Sequence, residues 1–241
     1  MSEPVWRQLG TPSSGGIVAI CDHASNAVPA GIELGIGLEV LEKHIAWDIG
    51  AAGVVERMAR RHGIPAHLAC VSRLAIDFHR EEESRGLIPE TSDGHLIPGN
   101  LGADRDVRIQ EYYGPYHAAL AQWLDAAEPA LILSIHSFTP KLESKPEEER
   151  PWEVALLYNE DDRAARLAMR YFAAQGCVVG DNEPYSGKTL NATMNRHAEQ
   201  FGRPYCAIEI RNDLIAEEGG QSRWAAMIAD IASRVAQALE G

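Results

Sequence analysis

Leu131-Ile132-Leu133-Ser134-Ile135 is an apolar run that ends in His136. Two further runs have the same form. Ile17-Val18-Ala19-Ile20-Cys21 leads into Asp22-His23, and Tyr205-Cys206-Ala207-Ile208 leads into Glu209, with Ile210-Arg211 behind it. Continuous apolar runs bounded by turn residues read as strands buried on both faces. In open α/β sheets the ligand crevice lies outside the carboxyl ends of the strands. The three runs therefore predict one sheet edge where two imidazoles, a carboxylate and a guanidinium converge.

Working outward from these runs, the pattern predicts a strand near 16–22 and a helix from about 38 to 62, closed by Gly63-Ile64-Pro65. A strand over 66–72 precedes a polar, Gly/Pro-rich stretch at 81–104, of a length that inside a compact domain is functional or mobile. Val107, Ile109, Tyr113, Tyr116, Leu120 and Leu124 recur near helical spacing and predict an amphipathic helix over 106–126. Strand 130–136, a Lys/Glu-rich stretch at 141–150, strand 153–158, helix 161–175 and strand 177–180 follow. A helix at 193–201, strand 205–210 and helix 219–239 complete the chain. Strands alternating with helices imply a mostly parallel sheet covered by helices, an α/β fold. Neither an internal repeat nor a linker interrupts residues 1–241, so one domain is expected.

A chain of 241 residues with 45% apolar content can bury a sizeable core. Its net charge of −13 argues against nucleic acid or an anionic membrane as partner, because no basic stripe is present to neutralise phosphates. An anionic small molecule remains compatible, since local arginines override a global field. Cys21, Cys70, Cys177 and Cys206 lie far apart without a Cys-x-x-Cys pair, which suits reduced thiols better than a disulfide framework or a zinc knuckle. The start, Met1-Ser2-Glu3-Pro4, lacks the features of a signal peptide, and no apolar stretch is long enough to span a membrane. A cytoplasmic protein is expected; assembly into a homo-oligomer is left open.

A catalytic zinc takes three protein ligands and leaves a position for water. His23 and His136 are the imidazole candidates. Asp48, in Ala46-Trp47-Asp48-Ile49-Gly50, is a carboxylate inside an otherwise apolar stretch that reads as helical and is the third candidate, with Asp22 and Asn26 as alternatives. Asp22 could equally orient an imidazole from behind. Glu209 and Arg211, two apart on one strand, point to the same face. A carboxylate so placed can take a proton from water and pass it on, and a guanidinium can hold negative charge. Ser186-Gly187-Lys188-Thr189 lacks the glycine spacing of a phosphate-binding loop, and no Gly-x-Ser-x-Gly elbow supports serine hydrolysis.

Asp-His-Ala-Ser-Asn (22–26), Ala-Trp-Asp-Ile-Gly (46–50), Ser-Arg-Leu-Ala-Ile-Asp-Phe-His-Arg (72–80), Ser-Ile-His-Ser-Phe (134–138) and Ile-Glu-Ile-Arg-Asn-Asp-Leu-Ile (208–215) together resemble the N-formylglutamate amidohydrolase family. That resemblance implies an α/β/α sandwich around a mixed sheet, akin to the zinc carboxypeptidase and aspartoacylase-like hydrolases. It also implies one zinc ion per chain and hydrolysis of an N-formyl or N-acyl amino acid. N-formyl-L-glutamate giving formate and L-glutamate, in histidine breakdown, is the type reaction. Carried onto this sequence, His23 and His136 become zinc ligands and Glu209 the general base and acid. Arg73 and Arg80 become receivers of substrate carboxylates. Two departures stand out. Asn26 occupies the place where the wider superfamily has a ligand Glu, and His79 replaces the Asn of Asp-x-Asn-Arg. The alternative reading is a binding or regulatory protein that kept the fold and lost the metal.

Overall fold

The computed structural model describes residues 4–241. In chain order its strands are β1 (Trp6–Leu9), β2 (Ile17–Cys21), β3 (Ala66–Ala69), β4 (Thr91–Ser92), β5 (His95–Leu96), β6 (Leu131–Phe138), β7 (Val154–Leu157), β8 (Val179–Asp181) and β9 (Tyr205–Arg211). Its helices are α1 (Leu38–Leu41), α2 (Ala51–His62), α3 (Arg105–Arg108), α4 (Gly114–Ala127), α5 (Arg163–Ala174), α6 (Ala192–His197) and α7 (Glu218–Glu240). The three apolar runs are the middle of a seven-stranded sheet of order β1-β3-β2-β6-β9-β7-β8. β6 is buried along its whole length, as a strand with helices over both faces must be. Pairings β3–β2, β2–β6, β6–β9 and β7–β8 are parallel, while β1–β3 and β7–β9 are antiparallel, so the sheet is mixed but mostly parallel.

Helices α2, α5 and α7 pack on one another and on the central strands, forming the layer on one face. On the other face α4 presents Tyr116 and Trp123 to His67 of β3, and the Tyr116 ring stacks on Phe78 at 4.1 Å between centroids. No helix among the described residues is long and apolar enough to cross a membrane.

The helix expected over 38–62 is two helices. α1 stops at Leu41, and α2 starts at Ala51 after Gly50, whose φ is +83°. Residues 42–50 form turns that carry Asp48 into the molecule, so this carboxylate is not on a helix face. The helix expected over 106–126 is present and continuous from Arg105 to Ala127, with α3 and α4 joined through a wider, π-helical turn at Ile109–Tyr113, before Gly114-Pro115, where Pro115 has no backbone donor. The 81–104 stretch is not patternless: Asp93-Gly94, with φ of 42° and 82°, turns the β4–β5 hairpin, the conformation an Asp-Gly pair favours. β1 escaped the sequence reading. It is short, half-buried and at the sheet edge, so it carries neither a continuous apolar run nor a clean alternation. All four cysteines are free.

Three buried imidazoles lie between the sheet and α4. His117 Nδ1 sits 2.9 Å from His197 Nε2, and His117 Nε2 lies 3.1 Å from the Phe78 carbonyl. His67 receives the Gln8 amide at 3.2 Å. Burial pushes His117 down to about 3, and His67 and His197 to about 4. Each is neutral when folded and charged when unfolded below about pH 6.5, so their contribution to stability is complete above 6.5 and falls as pH drops toward 4. His44 and His136, also held down by burial, act in the same sense, and Glu209, raised to about 8, acts in the opposite one over the same interval. Metal-free protein is expected to lose about 2–4 kcal/mol of unfolding free energy between pH 6.5 and 4.5. Urea titrations across that range check this, and a flat or rising stability on acidification would contradict it.

Candidate metal centre and active site

Strand register brings the reactive groups together. β2 ends at Cys21, so Asp22 and His23 emerge at once from the carboxyl edge of the sheet. Parallel pairing sets Ile20 beside Ser134 and His136 beside Glu209. Asp48 arrives from the turn before α2, where its amide donates to the His23 carbonyl at 2.9 Å and its own carbonyl accepts from Ala51 at 3.1 Å. Gly50 makes this turn possible. Besides its positive φ, a Cβ there would collide with the Ile215 backbone oxygen.

His23 Nδ1, His136 Nδ1 and Asp48 Oδ2 form a nearly equilateral triangle. The sides are 3.3 Å between the two nitrogens, 3.3 Å from His23 to the carboxylate and 3.0 Å from His136 to it. These three groups can hold a metal ion. Tetrahedral zinc with bonds of about 2.0–2.1 Å separates its ligand atoms by about 3.3 Å, and the triangle matches that spacing. The far ring nitrogens are already engaged. His23 Nε2 lies 2.7 Å from Asp77 Oδ1, and His136 Nε2 lies 3.0 Å from the Ser134 hydroxyl. Imidazoles that donate backwards in this way leave Nδ1 lone pairs for a metal. Asp48 Oδ2 also accepts from the Ser137 amide at 3.1 Å, which fixes it. The donor set fits the ion.

Without an ion, the same groups share protons. Burial and the Arg73 charge press His23 down, but the Asp77 and Asp48 carboxylates prevail and raise it to about 9. Asp48 stays ionised despite burial, because His23 and His136 hold its carboxyl well below the usual carboxylate range. Burial holds His136 down, as a neutral imidazole.

A second group of donors adjoins the first. Asp22 Oδ2 lies 3.0 Å from His79 Nδ1 and 3.9 Å from His136 Nε2, while Asp22 Oδ1 accepts from the Tyr116 hydroxyl at 2.5 Å. Asp22, His79 and His136 also meet the spacing for a metal. The first triangle is the better fit, because its ring nitrogens toward the centre are free of other partners. In the second group His136 Nε2 is engaged by the Ser134 hydroxyl, and Asp22 Oδ1 by the Tyr116 hydroxyl.

Glu209 faces a cavity of about 290 Å³ lined also by His23, His136, His79, Arg73 and Arg80. Its Oε2 is buried without a hydrogen-bond partner. Burial, reinforced by Asp48, raises the carboxyl to about 8 against Arg73, His23 and Arg150. An orphaned carboxyl that exchanges its proton near neutral pH suits acid–base work.

The family model for N-formylglutamate amidohydrolase matches residues 15–216. The chain belongs to the N-formylglutamate amidohydrolase family. The structure of gene product Atu2144 from Agrobacterium tumefaciens is similar to it at 29% identity and a TM-score of 0.91, covering 99% of this chain and 97% of that one. The N-formylglutamate amidohydrolase from Ralstonia eutropha JMP134 shares the fold at 20% identity and a TM-score of 0.76, covering 98% of each chain. No curated protein matches the chain.

In this family member the arginines divide by environment. Arg73 is committed to the protein: Nε and Nη2 donate to Asp77 Oδ2 at 3.1 and 2.8 Å, and Nη1 to Asp48 Oδ1 at 3.2 Å. Arg80 makes one long contact, 3.5 Å from Nε to Asp77, and lines the cavity. Arg211, expected to hold negative charge beside Glu209, is not there. The turn after β9 returns Asp213 to its guanidinium at 2.8 Å, and it does not line the cavity. Asn26 donates to the Leu41 carbonyl and takes no part in the triangle.

Sequence reading missed Asp77 and Ser134, which orient the imidazoles, and Tyr185, which enters from the 181–192 loop. The Tyr185 hydroxyl accepts from Arg150 Nη1 at 3.0 Å and lines the cavity. A polar residue inside the apolar run of β6, Ser134 two before His136, was the available signal for one of them. Because Gly50 sets the position of Asp48, Gly50→Ala is expected to destabilise the protein by about 2–4 kcal/mol in chemical unfolding. A change under about 0.5 kcal/mol would refute the close approach to Ile215.

Proposed function

We propose that the protein is a zinc-dependent amidohydrolase that cleaves the amide of an N-formyl or N-acyl amino acid, with one ion per chain held by His23, His136 and Asp48. The observation that carries this reading is the triangle of two Nδ1 atoms and one carboxylate oxygen beside the orphaned Glu209 carboxyl. Family membership supports amide hydrolysis and makes N-formyl-L-glutamate the first compound to assay.

The ion, when bound, supplies Lewis acidity toward the acyl oxygen and a lowered pKa for its water. Glu209 takes the proton of the attacking water as the oxygen adds to the acyl carbon, and gives that proton to the nitrogen as the C–N bond breaks. The products are the acyl carboxylate and a free amine. Tyr185, whose hydroxyl has no protein acceptor among the described residues, donates to the acyl oxygen as it becomes negative, the part that Arg211 is too distant to play. Arg150, donating to the same phenol, makes it a better donor. Arg80 receives the substrate carboxylate with its unengaged fork. Asp77, Ser134 and Arg73 hold His23, His136 and Asp48 in place, so the protein need not rearrange during turnover.

Elemental analysis of protein purified without added metal is expected to give about one zinc per chain, lost in His136→Ala and retained in Asn26→Ala. Because metal-free His23 keeps its proton up to about 9 and Glu209 up to about 8, loading the apoprotein at pH 7 is expected to release about two protons per ion, one from each. Calorimetry in buffers of different ionisation enthalpy counts that release. A protein that binds no zinc, even on titration, is the binding or regulatory relative instead.

Glu209→Gln is expected to lower kcat by about 10²–10⁴ with zinc content unchanged, Tyr185→Phe to lower it about 10–100-fold, and Arg80→Ala to act mainly on KM. Normal turnover by Glu209→Gln would remove that residue from the reaction.

A further inference from the structure

The cavity also carries information about the substrate's side chain, on the reading that it is the amidohydrolase site. Its inner end is the strand-edge group of His23, His136 and Glu209. Its outer wall comes from three loops: His44 and Ile45, Ser92 and Asp93 of the hairpin, and residues 138–144 after β6. These loops are tied to one another. Asp93 accepts from the amides of Glu143 and Ser144 at 2.9 Å each and from the Ser144 hydroxyl at 2.5 Å, and Glu143 bridges Lys43 at 2.7 Å and His95 at 2.9 Å. The wall is therefore built into the fold.

A dianionic amino-acid derivative needs two cationic partners. Arg73 has its charge held between Asp48 and Asp77, so Arg80 is the guanidinium left for a ligand. Nearby cations are engaged elsewhere: Lys43 with Glu143, Arg150 with Glu148 and Tyr185, Arg196 with Glu82, Arg211 with Asp213. Burial holds His44 down as a neutral ring. The outer wall instead carries a carboxylate, Asp93, with a side chain only 3% exposed, its charge maintained by donors from Ser144 and Glu143, and with His44 Nε2 at 3.2 Å as the ring beside it. Because burial disfavours the charged form of His44, a second substrate carboxylate reaching that wall would meet the Asp93 charge with only a neutral imidazole beside it. The remaining surface is apolar, formed by Ile45, Phe138, Leu142, Leu157 and Leu190. A volume of about 290 Å³ is at the small end for ligand pockets, enough for one acylated amino acid.

We propose that the preferred substrate is an N-acyl amino acid with a single carboxylate, received by Arg80, and an uncharged apolar side chain, received by the Phe138–Leu142–Leu157–Leu190 wall, in preference to the second carboxylate of a glutamyl group. Leu190 and Leu142 are then specificity residues, and Asp93 excludes acidic side chains.

The test compares binding and turnover. Zinc-loaded Glu209→Gln protein is titrated calorimetrically with N-formyl-L-leucine, N-formyl-L-methionine and N-formyl-L-glutamate, and formate release by the wild type is followed with each. The leucine and methionine compounds are expected to bind at least 10-fold more tightly than the glutamate compound. Arg80→Ala is expected to weaken them at least 10-fold, and Leu190→Lys to narrow or reverse the preference. Equal or tighter binding of N-formyl-L-glutamate, no binding of any of the three, or affinity for the leucine compound that survives Arg80→Ala would overturn the proposal. Selective binding without formate release would leave the side-chain preference standing and overturn the hydrolytic reading.

Discussion

The arrangement depends on one buried carboxylate. Asp48 is 2% exposed, and an isolated ionised carboxylate at that depth would be strongly unfavourable. It is retained because both oxygens are held: Arg73 donates to Oδ1, the Ser137 amide donates to Oδ2, and two imidazole nitrogens lie against Oδ2. This single group ties the turn before α2 to β2, β6 and the 72–80 segment. The consequence extends to the backbone, since Gly50 must be glycine for Ile215 to lie against it while the preceding turn reaches His23. Replacing Asp48 by an apolar residue would leave Arg73 and His23 with Asp77 alone and deprive His136 of its carboxylate, and a buried ion pair is costly to break even where it adds little net stability.

The sheet supplies precision of a different kind. His136 and Glu209 face one another because β6 and β9 pair in parallel over seven positions, and a slip of one residue would turn one of them to the opposite face. That register is secured by the residues alternating with the functional ones, Ile135 packing beside Ile208, and Ile210 beside Ser137. In the proposed reading the strands carry the reacting groups and the loops carry selectivity, and the loops are held at one edge by Asp93 and Glu143 rather than by core packing.

The strands that carry His23, His136 and Glu209 were legible because burial on both faces leaves a continuous apolar run, a signal that local sequence cannot easily mask. Asp48 was legible as an anomaly, a charge among apolar residues, but not as a turn. Its neighbours, Ile45, Ala46 and Ile49, satisfy helical periodicity, and long-range contacts break the helix there: the Asp48 amide bonds to the His23 carbonyl, the Ala46 carbonyl accepts from Arg73 and Ser72, and Gly50 lies against Ile215. Arg211 misled for a related reason: two-residue spacing places it on the face of Glu209, but the chain turns immediately after β9 and offers it Asp213. Asp77 was visible in Ser-Arg-Leu-Ala-Ile-Asp-Phe-His-Arg, yet nothing local says that it meets His23 rather than Arg80. Long-range pairing decides such roles, and composition is silent about it.

The charges around the centre fit a divalent cation better than they fit the protein alone. Asp22, Asp48 and Asp77 are all buried and all held well below the usual carboxylate range. Arg73 and Arg80 supply two positive charges, which leaves one carboxylate to be balanced by imidazolium on His23. With Glu209 ionised the deficit grows, and the protein alone answers by keeping that carboxyl protonated up to about 8. An ion in the triangle would replace the His23 proton with twice the charge and stabilise the Glu209 carboxylate from the same position. In the proposed assignment Glu209 would then be ionised at neutral pH because the site is loaded, and catalytic competence and metal occupancy would be one electrostatic event rather than two. That coupling follows from the placement of Glu209 across from His136, and it explains why a carboxyl with no hydrogen-bond partner is kept at the bottom of the cavity.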